Sequence, residues 1–119
     1  MKVMKFSKDM TTNNVIFYSG LKEGSLRDHV LVADNNIGEN DSNEQIQTAI
    51  NAIKSSGIEY VIAPDFAEEF HKNADETGLN LIKCSDSKTL EKGDGIEIYL
   101  KEDLILNIDT EQEGKFKLM

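Results

Sequence analysis

Three short apolar runs alternate with two segments of helical periodicity between residues 28 and 83, and this order constrains the fold more than any other feature. The runs are "DHVLVAD" (Asp28–Asp34), "IEYVIAP" (Ile58–Pro64) and "LNLIK" (Leu79–Lys83). Each has the length of a buried strand and is too short for a typical helix. We expect the first two runs to be central strands of a sheet.

The first intervening segment has apolar residues at i, i+3, i+4 and i+7, which form one face of a helix: Ile46, Ala49, Ile50 and Ile53. Gly57 stands where the end of that helix needs a positive φ. Ser42 and Gln45 have the spacing of a capping box at its start. Asp41 and Glu44 lie near the same end, where negative charge interacts favourably with the helix macrodipole.

The second intervening segment repeats the helical spacing. Its apolar face consists of Phe66, Ala67, Phe70 and Ala74. We expect Asp65, with Glu68 three residues later, to cap this helix, and Gly78 to end it. Strands joined in this way are most simply neighbours in one sheet, connected by right-handed parallel crossovers.

The pattern changes after Cys84. "GIEIYL" (Gly95–Leu100) alternates, "LILNI" (Leu104–Ile108) follows a short polar turn, and the pair predicts an antiparallel hairpin. We expect "KVMKF" and "VIFYS", near the start of the chain, to add strands to the same β layer. The prediction is an α/β fold with a mixed sheet and about two main helices, forming a single domain over residues 1–119.

Composition disfavours several classes of partner and cofactor. Twenty-two acidic residues against thirteen basic ones give a net charge of -9, so a nucleic-acid backbone or an anionic membrane would repel most of the surface. No apolar run has the length of a signal peptide or of a membrane span, so we expect a cytoplasmic protein. Cys84 is the one cysteine and is expected to be a core thiol, while His29 and His71 are expected to be surface or structural residues.

The stretch "GENDSNEQI" (Gly38–Ile46) places three carboxylates at the predicted start of the first helix, where backbone N–H groups attract anions. Three interpretations are open. The acids can cap the helix, or Asp41 can act as a general base. A divalent cation is the third interpretation, although the spacing departs from an EF-hand loop and we assign no metal site. Its oxygen ligands would come from Asp34, Glu39, Asp41 and Glu44.

Several separated segments resemble one family, the small subunit of 3-isopropylmalate dehydratase, which is the swivelling domain of the aconitase superfamily. "LVADNNIG", "VIAPDFAEEF", "NA" at residues 73–74 and "GLNLI" resemble that family's "IVAGxNFG", "VIAxSFAxIF", "NA" and "GLPLL", in order and with matching spacing. "DMTTNNVIF" resembles its "DxINTDVII", and "LEKGDGIEIYL" its "xGDxVEVDL". The resemblance spans nearly the entire chain and implies a swivelling β/β/α domain.

This resemblance implies a hydro-lyase and isomerase subunit of leucine biosynthesis that acts on a small hydroxy-dicarboxylate. It implies a large partner subunit that carries a [4Fe–4S] cluster, with no cofactor in this chain and no activity of the chain alone. In the family's "GSSRE" motif, the first serine is the general base and the arginine binds a substrate carboxylate.

Carried over by position, the motif falls on the acidic stretch. With Gly38 aligned to the family's glycine, Asp41 stands at the base serine and Ser42 at the second serine. Asn43 stands at the arginine and Glu44 at the glutamate. Asp41 and Ser42 are therefore the catalytic candidates, and Gly38, Asn43 and Glu44 are substrate-binding candidates.

Two further substrate-binding candidates lie upstream. Asn13 replaces the aspartate of the family's "NTD". Arg27 is the only arginine of the chain and lies in a segment that is shorter than its counterpart in the family, so it is a candidate to substitute for the arginine that is replaced at Asn43. These departures from the motif support a second hypothesis, a non-catalytic swivel-domain protein, or pseudoenzyme, that acts as a partner-binding or regulatory subunit.

Overall fold

The computed structural model describes residues 1–5, 28–33, 37, 42–85, 87, 90–91, 93–99 and 101–118. Their helices and strands, in chain order, are β1 (Lys2–Lys5), β2 (His29–Val32), α1 (Asn43–Ser56), β3 (Tyr60–Ala63), α2 (Glu68–Thr77), β4 (Asn80–Lys83), β5 (Ile96–Tyr99), β6 (Leu104–Asn107), β7 (Gln112–Lys115) and β8 (Lys117–Leu118). No helix among them is long and apolar enough to cross a membrane.

Five strands form one sheet in the order β1-β2-β3-β4-β8. The first four strands are parallel, and β8 pairs with β4 in the antiparallel direction. In the central register, Leu31 lies beside Val61, and Val61 beside Leu81. The three predicted strands and the two helices between them are confirmed. Because successive strands are added in one direction across the sheet, right-handed crossovers place both helices on the same face.

The sheet separates two buried clusters, because successive side chains of a strand point to opposite faces. On one face, Leu31 and Val61 pack with the apolar sides of α1 and α2, including Ile50 and Phe70. On the other face lies the second cluster, whose members include Val30, Val32, Ile62, Ile82, Ile96, Ile105 and Phe116. The layer order is therefore three-stranded sheet, five-stranded sheet and helices, which is the predicted β/β/α arrangement.

The predicted antiparallel hairpin is confirmed as β5 and β6, but it belongs to a separate three-stranded sheet in the order β5-β6-β7. The two sheets meet where Lys2 bridges Gly95 and where the Met1 and Ile96 backbones exchange hydrogen bonds. The sequence prediction lacked β7 and β8, since "QEGK" and "KL" have too few apolar residues to show a strand pattern. The "VIFYS" prediction lies outside the described residues.

The two helices begin differently. Ser42 caps α1 as predicted, and Gly57 ends that helix with φ 102°. The prediction that Asp65 caps α2 is wrong, because the N-cap is Ala67 and no side chain bonds there. Phe66 forms a parallel bridge with Ile37 and so extends the backbone past Asp65 before the helix starts. Asp65 Oδ1 instead accepts a hydrogen bond from the Phe66 N–H, 2.8 Å away.

Candidate functional site

The candidate site lies at the carboxyl edge of the parallel strands, where α1 and α2 both begin. Ile37, between β2 and α1, is fully buried at this edge. Its backbone is hydrogen-bonded to the segment that follows β3. Its N–H donates to the Asp65 carbonyl at 3.1 Å, and its carbonyl accepts from the Ala67 N–H at 2.8 Å. These two bonds place Ile37 beside Asp65 and Ala67, in the segment that precedes α2. Backbone N–H groups at the start of a helix favour anions, so this edge is a candidate ligand site.

Ser42 is exposed and is the N-cap of α1. Its Oγ accepts a hydrogen bond from the Gln45 N–H at 3.2 Å, and its own N–H donates to Gln45 Oε1 at 2.9 Å. The two bonds form a complete capping box, which satisfies one donor of the first turn and the N–H of the cap itself. The capping interpretation of Ser42 is therefore confirmed.

Asn43 and Glu44 follow Ser42 in the first turn of α1, and both are exposed. The Glu44 carboxylate lies at the positive end of the helix macrodipole, where a negative charge is stabilised. The amide of Asn43 offers hydrogen bonds but no charge, in the position where the family's motif has arginine. The structure thus brings three of the predicted site residues together on one exposed helix start.

The other predicted site residues, Asn13, Arg27, Gly38 and Asp41, lie outside the described part of the chain. So do Asp34 and Glu39, the remaining members of the proposed cation site. Their roles stay predictions. Among the described residues, no three His, Cys, Asp or Glu side chains are grouped so that they could hold a metal ion.

Sequence reasoning missed an ion pair at the same edge. Lys83 ends β4, and its Nζ lies 3.6 Å from Oδ1 of Asp65, just beyond the end of β3. Both side chains are about half exposed, at 47% and 49%, so the pair contributes at most about 1 kcal/mol to stability. The sequence could have indicated this ion pair, because both residues stand at or just past the carboxyl end of a predicted parallel strand. A basic group therefore does lie at this edge, although it is far in sequence from the acidic stretch.

Cys84 and the two histidines lie in separate environments. Cys84 is 3% exposed, which confirms it as a core thiol. It lines a cavity of about 310 Å³ together with residues of β6 and β7, including Ile105 and Asn107. His29 lies in β2 and His71 on α2, and both are partly exposed.

Comparison with curated proteins gives a consistent family. The 3-isopropylmalate dehydratase small subunit of Halothermothrix orenii is 38% identical over 101 residues, which are 79% of this chain and 57% of that protein. The small subunit 1 of Methanopyrus kandleri is 39% identical over 89 residues, which are 74% of this chain and 51% of that protein. The chain thus spans about half the length of the curated relatives it matches. No family model matches the chain.

The layers and the carboxyl-edge helix starts define a three-layer β/β/α domain of the swivelling type. A crystal structure of 3-isopropylmalate dehydratase (LeuD) from Methanocaldococcus jannaschii has the same fold, with a TM-score of 0.78 and 27% identity, over 99% of this chain and 80% of that chain. The chain belongs to the 3-isopropylmalate dehydratase small-subunit family. The resemblance found in the sequence is confirmed.

Proposed function

We propose that the chain acts as the small subunit of a hydro-lyase of the 3-isopropylmalate dehydratase type and assembles with a large subunit that carries a [4Fe–4S] cluster. The observation that supports this most is the match of 99% of the chain to the fold of a 3-isopropylmalate dehydratase. The two sheets and two helices share one set of layers, which supports a single swivel domain over residues 1–119.

The cluster itself does not fit this chain. A [4Fe–4S] cluster is held by several cysteine thiolates, and Cys84 is the one cysteine, 3% exposed in the core. The cluster therefore belongs to the partner in this proposal. The contribution of this chain is to bind and orient the dicarboxylate and to move a proton.

The start of α1 supplies the binding groups. The N–H groups of Asn43 and Glu44 belong to the first turn, where a helix provides no backbone acceptor for them, and they lie at the end that favours anions. The Asn43 side chain adds hydrogen bonds, whereas Glu44 opposes a dianion. Asp41 takes the position of the family's base serine, and Arg27 supplies the positive charge that position 43 lacks.

Reconstituting the chain with its large subunit under anaerobic conditions, and measuring isomerase turnover, tests the proposal. Asp41→Asn should abolish turnover without loss of the complex, because the amide cannot accept the proton. Asn43→Arg should lower KM about tenfold, because an arginine–carboxylate pair is stronger than a neutral hydrogen bond.

Asn51→Arg makes the same substitution at an exposed position further along α1 and should leave KM unchanged. Unchanged turnover in Asp41→Asn would contradict the assigned base. Failure of the wild-type chain to bind the large subunit would contradict the proposed function as a whole.

A second candidate function is favoured by one observation, the engagement of Ser42 Oγ in the capping box. In this second function, side chains of the chain itself occupy the hydrogen-bonding groups at the start of α1. The chain is then a non-catalytic subunit that binds or regulates the large subunit. The same reconstitution separates the two. A complex that forms fully and has no turnover, with wild type and Asp41→Asn indistinguishable, supports the non-catalytic role.

A further inference from the structure

A cavity of about 310 Å³ lies between the two sheets, beside the second buried cluster. Three buried residues form its apolar wall, namely Cys84 just after β4, Leu90 in the connection to β5, and Ile105 of β6. Asn107 of β6 and Gly114 of β7 also line it. The volume is at the lower end of the range for small-molecule sites, so an occupant must be small. We call this space the inter-sheet cavity.

Gly114 helps to keep the inter-sheet cavity open. It pairs with Ile105 across β6 and β7, so a side chain at this position would face inward as Ile105 does. A Cβ at Gly114 would meet no heavy atom within 4 Å, and the φ of Gly114 lies outside the range that favours glycine. Glycine weakens a strand, and it often marks a place where a ligand approaches the backbone closely. Neither crowding nor backbone conformation in the described part of the chain explains this glycine, whereas a bound molecule does.

The Asn107 side chain supplies a polar group at the same cavity. Its Oδ1 accepts hydrogen bonds from the Asp109 and Thr110 N–H groups, at 3.1 and 3.3 Å, and this fixes the orientation of the amide. Its Nδ2 donates to Asp94 at 2.8 Å. An amide nitrogen carries two hydrogens, and no second acceptor for Nδ2 is found among the described residues. Asn107 is 2% exposed, and buried donors are normally satisfied, so we expect an acceptor inside the cavity.

The charges near the cavity restrict its occupant. Gln112 and Glu113 line the cavity and are exposed, so it opens to solvent on their side. Glu113 and the Asp94 carboxylate that Asn107 contacts would repel an anion. A cation cannot accept the Asn107 N–H and would lose hydration against the apolar wall. An uncharged molecule with an acceptor oxygen and a short apolar part meets both conditions.

We infer that the inter-sheet cavity binds a small uncharged molecule with a short apolar chain and a carbonyl or hydroxyl oxygen. The oxygen accepts the second N–H of Asn107, and the apolar part packs on Leu90 and Ile105 beside Gly114. The cavity lies on the face of the five-stranded sheet opposite α1, so the inference does not depend on the proposed function.

Titration of the isotope-labelled full chain with isobutyramide, followed by NMR, tests this inference. Isobutyramide is uncharged, branched and small, and its carbonyl oxygen is an acceptor. The Asn107 side-chain NH₂ signal and the Gly114 amide signal should shift saturably, in the millimolar range expected for so small a ligand. Isobutyrate has nearly the same shape and a negative charge, so it should bind at least about tenfold more weakly.

A pair of valine variants locates the binding. Gly114→Val fills the inter-sheet cavity from β7 and should abolish the shift of the Asn107 signal. Glu97→Val introduces the same side chain at an exposed position of β5 that does not line the cavity. This control should leave the Kd of isobutyramide within about twofold of wild type.

Three results would overturn the inference. If isobutyramide causes no saturable shift, the cavity holds water only. If Gly114→Val binds isobutyramide as wild type does, the binding is elsewhere. If isobutyrate binds as tightly as isobutyramide, the class of ligand is wrong. Shifts in the wild-type chain keep the test valid if Gly114→Val fails to fold, because shifts that do not include Cys84, Asn107 or Gly114 would also contradict the assigned site.

Discussion

Replacing Ser42 with alanine tests whether side chains of this chain hold the start of α1. The substitution removes the Oγ that accepts from the Gln45 N–H at 3.2 Å and leaves that donor to water. Loss of an N-cap side chain costs about 1 kcal/mol of unfolding free energy. For a domain of this size, we expect the melting temperature to fall by about 4 °C.

Matched variants separate the cap from a general effect of losing a serine. Ser55 is an exposed serine near the end of the same helix, and its hydroxyl donates to the Ala52 carbonyl at 3.4 Å. Ser55→Ala should leave stability unchanged or slightly higher, because alanine has the better helix propensity. Ser42→Asp should stay within a few tenths of a kcal/mol of wild type, since aspartate is an equally good N-cap.

A double-mutant cycle with Gln45→Ala completes the experiment, because the two side chains form one reciprocal unit. Urea unfolding should give a cost for the double variant that is smaller than the sum of the two single costs. The capping account is refuted if Ser42→Ala is as stable as wild type, or if Ser55→Ala loses as much stability as Ser42→Ala.

Three further predictions concern the three-stranded sheet formed by β5, β6 and β7. Asn107 is 2% exposed, and its amide donates to Asp94 at 2.8 Å and accepts hydrogen bonds from two N–H groups of the following turn. Asn107→Ala should therefore lower the unfolding free energy, measured by urea titration, by about 2 kcal/mol. A loss near zero would contradict this prediction. Glu111 has φ 58°, so Glu111→Gly should raise the melting temperature by the equivalent of about 0.5 kcal/mol, and a decrease would show that the turn is unstrained. The hydrogen bond to Glu97 raises the pKa of Tyr99, so ultraviolet titration should show Tyr99 ionising above the usual tyrosine value, and Glu97→Gln should lower its pKa toward that value. Since the folded state holds this proton more tightly, its contribution to stability is present below the unfolded pKa and is lost as pH rises through the folded one.

Much of the fold is local in origin and could be predicted. The runs at β2, β3 and β4 are apolar because both faces of those strands are buried, and the spacing in α1 records the single face that meets the sheet. Gly57 and Gly78 were predictable as helix ends because their positive φ is a local requirement.

The parts that could not be predicted depend on contacts between distant residues. Periodicity shows which face of β5 and β6 is buried, but not that these strands form their own sheet. The start of α2 is set by the pairing of Phe66 with Ile37, which moves the N-cap two residues beyond Asp65. The Lys83–Asp65 pair joins the ends of β4 and β3, and its two residues are 18 positions apart in the sequence.

The candidate site also has a local part that could be predicted from the sequence and a part that could not. The capping box joins two residues three positions apart, Ser42 and Gln45, and was predictable from the sequence alone. The position of a substrate depends on residues that other chains supply. The two interpretations of the acidic stretch that need a ligand, a general base at Asp41 and a bound cation, stay predictions.

The most direct test of the proposed function is native co-purification of the tagged chain under anaerobic conditions, with identification of the bound protein and a visible absorption spectrum. We predict a stoichiometric, brown complex in which the partner is a dehydratase large subunit. A colourless chain that purifies alone, or with a partner of another kind, would contradict the role as a dehydratase small subunit.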